Sequence, residues 1–137
     1  MNAAEMANNA SVAYLQAGEA ESAFNVVQGT CEVFAGASDH RREGMALGNL
    51  GAALEALGRF EEATEAYLQS GEVFEKAGET DLRLQVMKSL SSMQLNSGRR
   101  LQALATMQSA LEGVEHPNPK QKLLKRLLDS PFKMLNR

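Results

Sequence analysis

The sequence predicts an all-helical protein, a stack of three helical hairpins closed by one further helix. Three observations predict it. A 40-residue interval separates Gly18, Gly58 and Gly98, and it also separates Ala23, Ala63 and Ala103, and Glu32, Glu72 and Glu112. Apolar residues within each interval recur at steps of three and four, the period of one helical face. No strand pattern competes with that period anywhere in the 137 residues.

The interval is an internal repeat. Residues 4–43 laid on 44–83 share Asn9/Asn49, Ala13/Ala53, Gly18/Gly58, Glu21/Glu61, Ala23/Ala63, Glu32/Glu72, Val33/Val73, Phe34/Phe74 and Ala37/Ala77. Unrelated segments of ordinary composition share only about three identities over such a length. A third copy in the same register turns the coincidence into architecture.

Each unit reads as two helices, the predicted set being 3–17, 19–36, 42–57, 60–77, 80–97, 100–114 and 119–129. In the middle unit Leu47, Leu50, Leu54 and Leu57 trace the first helical face. Gly58 then ends that helix, because glycine accepts the left-handed conformation of a C-terminal cap. Phe60, Ala63, Ala66, Tyr67, Val73 and Phe74 form the stripe of the second helix, with Glu61 and Glu62 in the first turn, where the helix dipole favours negative charge. Gly78 closes it. The turns at 18, 58 and 98 lie inside hairpins, and longer polar links at 36–42, 78–81 and 115–120 are expected to join the units. Over 119–129, Leu123, Leu124, Leu127 and Leu128 make a narrow stripe backed by Lys122, Lys125 and Arg126, as in a helix that caps an exposed apolar end. Ser130-Pro131 is expected to interrupt it, with Phe132, Met134 and Leu135 adding a last turn that packs back.

Residues 44–74 resemble a tetratricopeptide repeat (TPR) of the forty-residue variety. The features that carry the resemblance are Leu47, Leu50-Gly51, Leu54, Ala63 and Tyr67, within GNLGAALEALGRFEEATEAY. Gly51 and Ala63 are the small residues at the close crossing of the two helices. The flanking units follow the pattern less closely, with Ala7, Ala10-Ser11, Tyr14, Gly18, Ala23 and Val27 in the first, and Met87, Leu90-Ser91, Gln94, Gly98, Ala103 and Met107 in the third. Gln94 stands where a large apolar residue is expected, so the third unit is either degenerate there or carries a local polar contact. The resemblance covers about residues 4–115. It implies a right-handed α-solenoid over 1–137, with repeats near 4–43, 44–83 and 84–118 and a cap near 119–137.

The resemblance also implies a role: a non-catalytic scaffold or adaptor that receives a peptide or helix of another protein in its concave groove, lined by the first helices. Groove positions are Glu5, Asn8, Asn9 and Val12 in the first unit. They are Met45, Gly48, Asn49, Ala52 and Glu55 in the second, and Gln85, Lys88, Ser89, Ser92 and Asn96 in the third. Asn9 and Asn49 stand out, since a side-chain amide both donates and accepts and can grip a peptide backbone of any sequence. The same two residues also suit hydrogen bonding between helices. In family members that clamp chaperone C-termini, an asparagine matching Asn49 acts with basic residues of neighbouring first helices. Here Asn8, Val12, Gln85 and Ser89 occupy those places, and only Lys88 is near. A terminal carboxylate would therefore lack charge-assisted partners.

Composition narrows the remaining classes. Apolar residues make up 44% of the chain, too many for disorder. Residues 1–115 hold 8 Lys/Arg against 16 Asp/Glu (−8), whereas 116–137 hold 6 Lys/Arg and one acid, Asp129 (+5). An acidic body is a poor match for phosphates, so no nucleic acid is expected. The first twenty residues lack the basic start and apolar run of a secretory signal, and no apolar stretch nears the length of about 18 residues that spans a bilayer. The expected location is cytoplasmic. The single cysteine, Cys31, reads as a small buried thiol, and His40 and His116 read as solvated histidines in links between units. Glu61, Glu62 and Glu65 read as an exposed acidic face. The glycines follow no strand, so no phosphate loop is present. No enzyme activity, metal or cofactor is expected. Two other roles compete with groove binding: self-assembly, such as a homodimer through exposed repeat ends, and peripheral membrane recruitment through the basic C-terminal segment.

Overall fold

A computed structural model describes residues 2–114 and 117–135, with side chains as far as Asp129. The described residues form α1 (Ala3–Gln16), α2 (Ala20–Val27), α3 (Thr30–Gly36), α4 (His40–Ala56), α5 (Phe60–Lys76), α6 (Thr80–Asn96), α7 (Arg100–Glu112) and α8 (Pro119–Leu135). They make a solenoid of helical hairpins: α1 with α2 and α3, then α4 with α5, then α6 with α7, with α8 packed on α7.

One device shapes the links. Gly18, Gly58, Gly78 and Gly98 have φ of +78°, +77°, +73° and +81°. After each glycine the chain's next amide returns to a carbonyl five residues back, as in Arg59 N–H to Leu54 O at 2.9 Å and Arg99 N–H to Gln94 O at 2.7 Å. Ser38 fills the equivalent place after α3 at φ +56°. Two of the three links expected to be longer between units are therefore as short as those inside hairpins, spanning 37–39 and 77–79, whereas the one between α7 and α8 is longer. His40 consequently opens α4 instead of lying in a loop, its exposed ring 3.3 Å from the Glu43 carboxylate.

Two other expectations change. The helix expected over 19–36 is broken at Gly29 (φ +85°), which follows the extended Gln28 (ψ 127°). The same register position holds Gln69 in α5 and Ser109 in α7, which run on uninterrupted. Glycine alone makes the left-handed turn cheap enough to divide a helix. At the other end α8 passes through Ser130-Pro131 to Leu135. A proline within a helix removes one amide and bends the axis without always stopping it. The packing expected of Phe132, Met134 and Leu135 lies outside the described side chains, and His116 outside the described residues.

The main core joins Leu54, Ala63, Ala66, Tyr67 and Phe74 of the second unit to Val86, Met87, Leu90, Met93 and Ala110 of the third. A smaller cluster of Val27, Phe34 and Ala46 ties the first unit to the second. Gly51 does what its small size requires, since a Cβ there would lie 2.7 Å from Cδ1 of Tyr67. Gly44 is a second such crossing, 2.6 Å from the Phe74 ring by the same construction. The two readings of Gln94 resolve in favour of a polar contact: the residue is buried and accepts a 2.7 Å hydrogen bond from the Thr106 hydroxyl. On the closing helix, Leu128 is buried, and Gln108 of α7 donates to the Asp129 carboxylate at 2.8 Å. Only half of the leucine stripe is covered, because Leu123 and Leu127 face solvent.

Candidate functional site

Successive first helices α1, α4 and α6 leave a groove between them, and three adjoining cavities mark its course. The central cavity, of about 300 Å³, is walled by Asn8, Asn9 and Val12 of α1, by Met45, Gly48, Asn49 and Ala52 of α4, and by Leu82, Gln85, Val86 and Ser89 of α6. Tyr67 and Phe74 of α5 form its floor. No ionisable side chain except the Tyr67 phenol borders it. Nine residues expected in the groove thus meet in one place: Asn8, Asn9, Val12, Met45, Gly48, Asn49, Ala52, Gln85 and Ser89.

The charges sit at the two ends. A second cavity of about 300 Å³ shares Asn8, Asn9 and Met45 with the first and adds Glu5, Arg41 and Arg42. Arg42 bridges Glu5 at 2.7 Å and Asp39 at 2.9 Å, and these carboxylates hold its guanidinium firmly in the charged form. Arg41 lies 3.5 Å from Glu79 in the next link. At the opposite end a cavity of about 380 Å³ shares Tyr67, Gln85 and Ser89 and adds Glu55, Lys88 and Ser92. Here the Tyr67 hydroxyl donates to Glu55 at 3.2 Å. Burial raises the Glu55 carboxyl above its usual range, against the opposing effect of that hydrogen bond. The Tyr67 phenol is raised in turn, first by burial and then by the Glu55 charge. Asn96 is exposed and borders none of these three cavities.

Asn49 is committed within the protein, since its side-chain amide donates to the Asn8 side-chain oxygen Oδ1. Asn8 is only 5% exposed, so this bond ties α1 to α4 in their register. Asn9, at the rim, is exposed.

The sequence reading missed the floor and one end. By spacing, Tyr67 and Phe74 belong to the core stripe of α5, but each shows an edge between α4 and α6. Leu82 and Val86, four apart on α6, carried a usable signal as a pair on the side of that helix facing α4. Arg41 and Arg42, adjacent bases at the start of a first helix in an acidic body, carried another.

Elsewhere the candidates for chemistry have ordinary surroundings. Cys31 is half-buried instead of fully buried; burial, then the charges of Glu32 and Glu43, push its thiol up to about 11, so it stays protonated at neutral pH. Glu61, Glu62 and Glu65 are exposed, and Glu62 pairs with Arg59 at 2.6 Å. Among the described residues no cluster of His, Cys, Asp and Glu is placed to hold a metal ion, and no helix is long and apolar enough to cross a membrane.

The tetratricopeptide repeat model matches residues 42–116, more than half of the chain. The fold is similar to the crystal structure of a TPR-like protein from Chlorobium tepidum TLS, with a TM-score of 0.63 over 98% of this chain and 95% of that one. Sequence identity between the two is 18%, so the likeness is one of fold alone. No curated protein matches the sequence significantly. Stacked repeats of this kind present extended surfaces to protein partners. By its matched repeats, the chain belongs to the tetratricopeptide repeat family.

Proposed function

We propose that this protein is a non-catalytic interaction module that holds a segment of a partner protein, extended or helical, along the α1–α4–α6 groove. The observation that carries the reading is the central cavity, where amides, a hydroxyl and apolar side chains from three first helices converge on a space of about 300 Å³. Its neutral lining suits a partner segment whose middle residue is apolar, with backbone groups in reach of Asn9, Gln85 and Ser89. Glu5 with Arg41 and Arg42 at one end, and Glu55 with Lys88 at the other, suit polar or charged residues flanking that centre. A carboxylate clamp is disfavoured, because the Asn49 amide is bonded to Asn8 and Lys88 is the sole base at its end of the groove.

The test is selection from a displayed library of random dodecapeptides, followed by anisotropy titration of the enriched sequences. Ala52→Arg and Ser89→Arg place a long cation in the centre and are expected to weaken binding by about tenfold or more, the cost of an unpaired charge in a desolvated contact. Glu65→Arg, on the opposite side, is expected to bind as wild type does. Equal binding by all three variants, with helicity unchanged, would remove the groove from consideration.

A further inference from the structure

The 40-residue register shows how a first helix treats the side that meets the preceding unit. On α4, Ala46 and Ala53 are fully buried, and Ala46 packs with Val27 and Phe34 of the first hairpin. On α6, Val86 and Met93 are 6% and 2% exposed and join the cluster around Tyr67 and Phe74. On α1 the corresponding residues are Met6, which is 59% exposed, and Ala13, which is exposed as well. The first hairpin therefore presents in solvent the side chains that the other two use for stacking.

The opposite end has its own apolar pair. While Leu128 is buried, Leu123 and Leu127 are 57% and 60% exposed, among the exposed Lys120, Lys122 and Arg126. Charge separates the two ends. Residues 1–40 contain Glu5, Glu19, Glu21, Glu32 and Asp39 and no Lys or Arg; Arg42 of α4 pairs with Glu5 and Asp39 and leaves Glu19, Glu21 and Glu32, whereas residues 116–137 hold six bases and one acid. Like ends repel, and unlike ends attract.

We propose that the protein associates head to tail with a second copy of itself, the Met6 face of α1 in one copy resting on the Leu123/Leu127 face of α8 in the next. The occupant is a second copy because each face supplies what the other lacks: an acidic hairpin with an open stacking surface, and a basic helix with an uncovered leucine pair. The two faces differ, so the contact is heterologous. It leaves a free face of each kind at the ends of every pair and continues into longer assemblies. Both patches are small, which makes the association weak and salt-sensitive.

Sedimentation of the full chain up to about 1 mM tests this. The weight-average mass is expected to rise with concentration past that of a dimer, and the rise is expected to shrink as salt is added. Met6→Glu and Leu127→Glu alter exposed side chains, so helicity should be unchanged, and each alone should weaken association by about tenfold or more. Mixed together they should form a one-to-one pair and go no further, since each retains the face the other has lost. A wild-type chain that stays monomeric throughout, association that neither variant weakens, or a mixture that fails to pair would each overturn the proposal. Vesicles of phosphatidylserine and phosphatidylcholine supply the competing occupant for α8. Binding to them that Leu127→Glu abolishes, in a chain that does not self-associate, would assign the leucine face to a membrane instead.

Discussion

Replacing Gly51 by alanine sets two effects of known sign against each other. A Cβ at this position would stand 2.7, 2.9 and 3.0 Å from Cδ1, Cε1 and Cγ of Tyr67, closer than real Cβ contacts come. Any retreat of the ring, which borders the groove cavities, disturbs the bond of its hydroxyl to Glu55. Overpacking of this kind costs about 1–3 kcal/mol. Alanine recovers about 1 kcal/mol through its better helix propensity. The expected net effect of Gly51→Ala is a loss of about 0–2 kcal/mol, seen as a Tm lower by up to about 6 °C. The other units point to the compensating change. At the register of Gly51 and Tyr67 the first unit has Ser11 with Val27, and the third has Ser91 with Met107. In a Tyr67→Met background, Gly51→Ala should therefore be neutral or stabilising. Urea unfolding of the four proteins, followed by helical circular dichroism, gives the coupling energy directly. If Gly51→Ala is more stable than wild type while Tyr67 is present, the ring moves freely and the steric reasoning fails.

Three further perturbations have definite expected outcomes. Ser38→Gly relieves the left-handed serine (φ +56°) and should stabilise by about 0.5–1 kcal/mol in thermal unfolding; a destabilised variant would mean the Ser38 backbone carries no strain. Thr106→Ala leaves the buried Gln94 oxygen without its donor and should cost about 1–3 kcal/mol, whereas Gln94→Leu/Thr106→Ala, which copies the Leu54/Ala66 pair of the second unit, should be close to neutral. Equal costs for the single and the double variant would deny the pair any coupling. Burial holds the Glu55 carboxyl above its ordinary 4.5, so the folded state binds more protons there than the unfolded state does. Its contribution to stability therefore falls as pH rises through that region. Glu55→Gln, which keeps an acceptor for Tyr67, should be the more stable protein at pH 7 and lose its advantage as pH drops below 4.5; an advantage that ignores pH would rule out the charge as its cause.

The residues that made the fold legible act locally and through repetition. Gly58 and Gly98 announce helix ends because no other residue takes their conformation so cheaply, and the leucines of 47–57 disclose a helical face by spacing alone. Gly29 was the counterexample. It is a glycine like the others, but one that lies within an apolar-periodic stretch, where the period alone does not tell that the chain breaks. Pro131 erred in the opposite direction, a strong breaker that the helix runs through. For the site, the first-helix positions were readable because their side chains point away from the stripe. Which of them meet was set by the distance between units. That distance depends on α5, whose Tyr67 and Phe74 rings stand between α4 and α6 and could not be placed by counting along one helix.

Differences between units follow two patterns, one in the core and one along the groove proposed to hold a partner. Two core differences between the second and third units come as compensated pairs. Gly51 with Tyr67 becomes Ser91 with Met107, and Leu54 with Ala66 becomes the hydrogen-bonded Gln94 with Thr106. A change in one member alone would leave a cavity, a clash or an unpaired polar group, so the partner must answer it. Groove differences show no such exchange. The register of Asn8, Gly48 and Lys88 runs through an amide, no side chain and a cation. Only at the first of these does the structure answer with a partner, Asn49. Gly48 has room for a Cβ at ordinary contact distance from Ser70 and Val86, so packing does not demand glycine there. Removing a side chain where packing would accept one keeps the centre of the groove open, as the proposed seating of a partner's apolar residue requires.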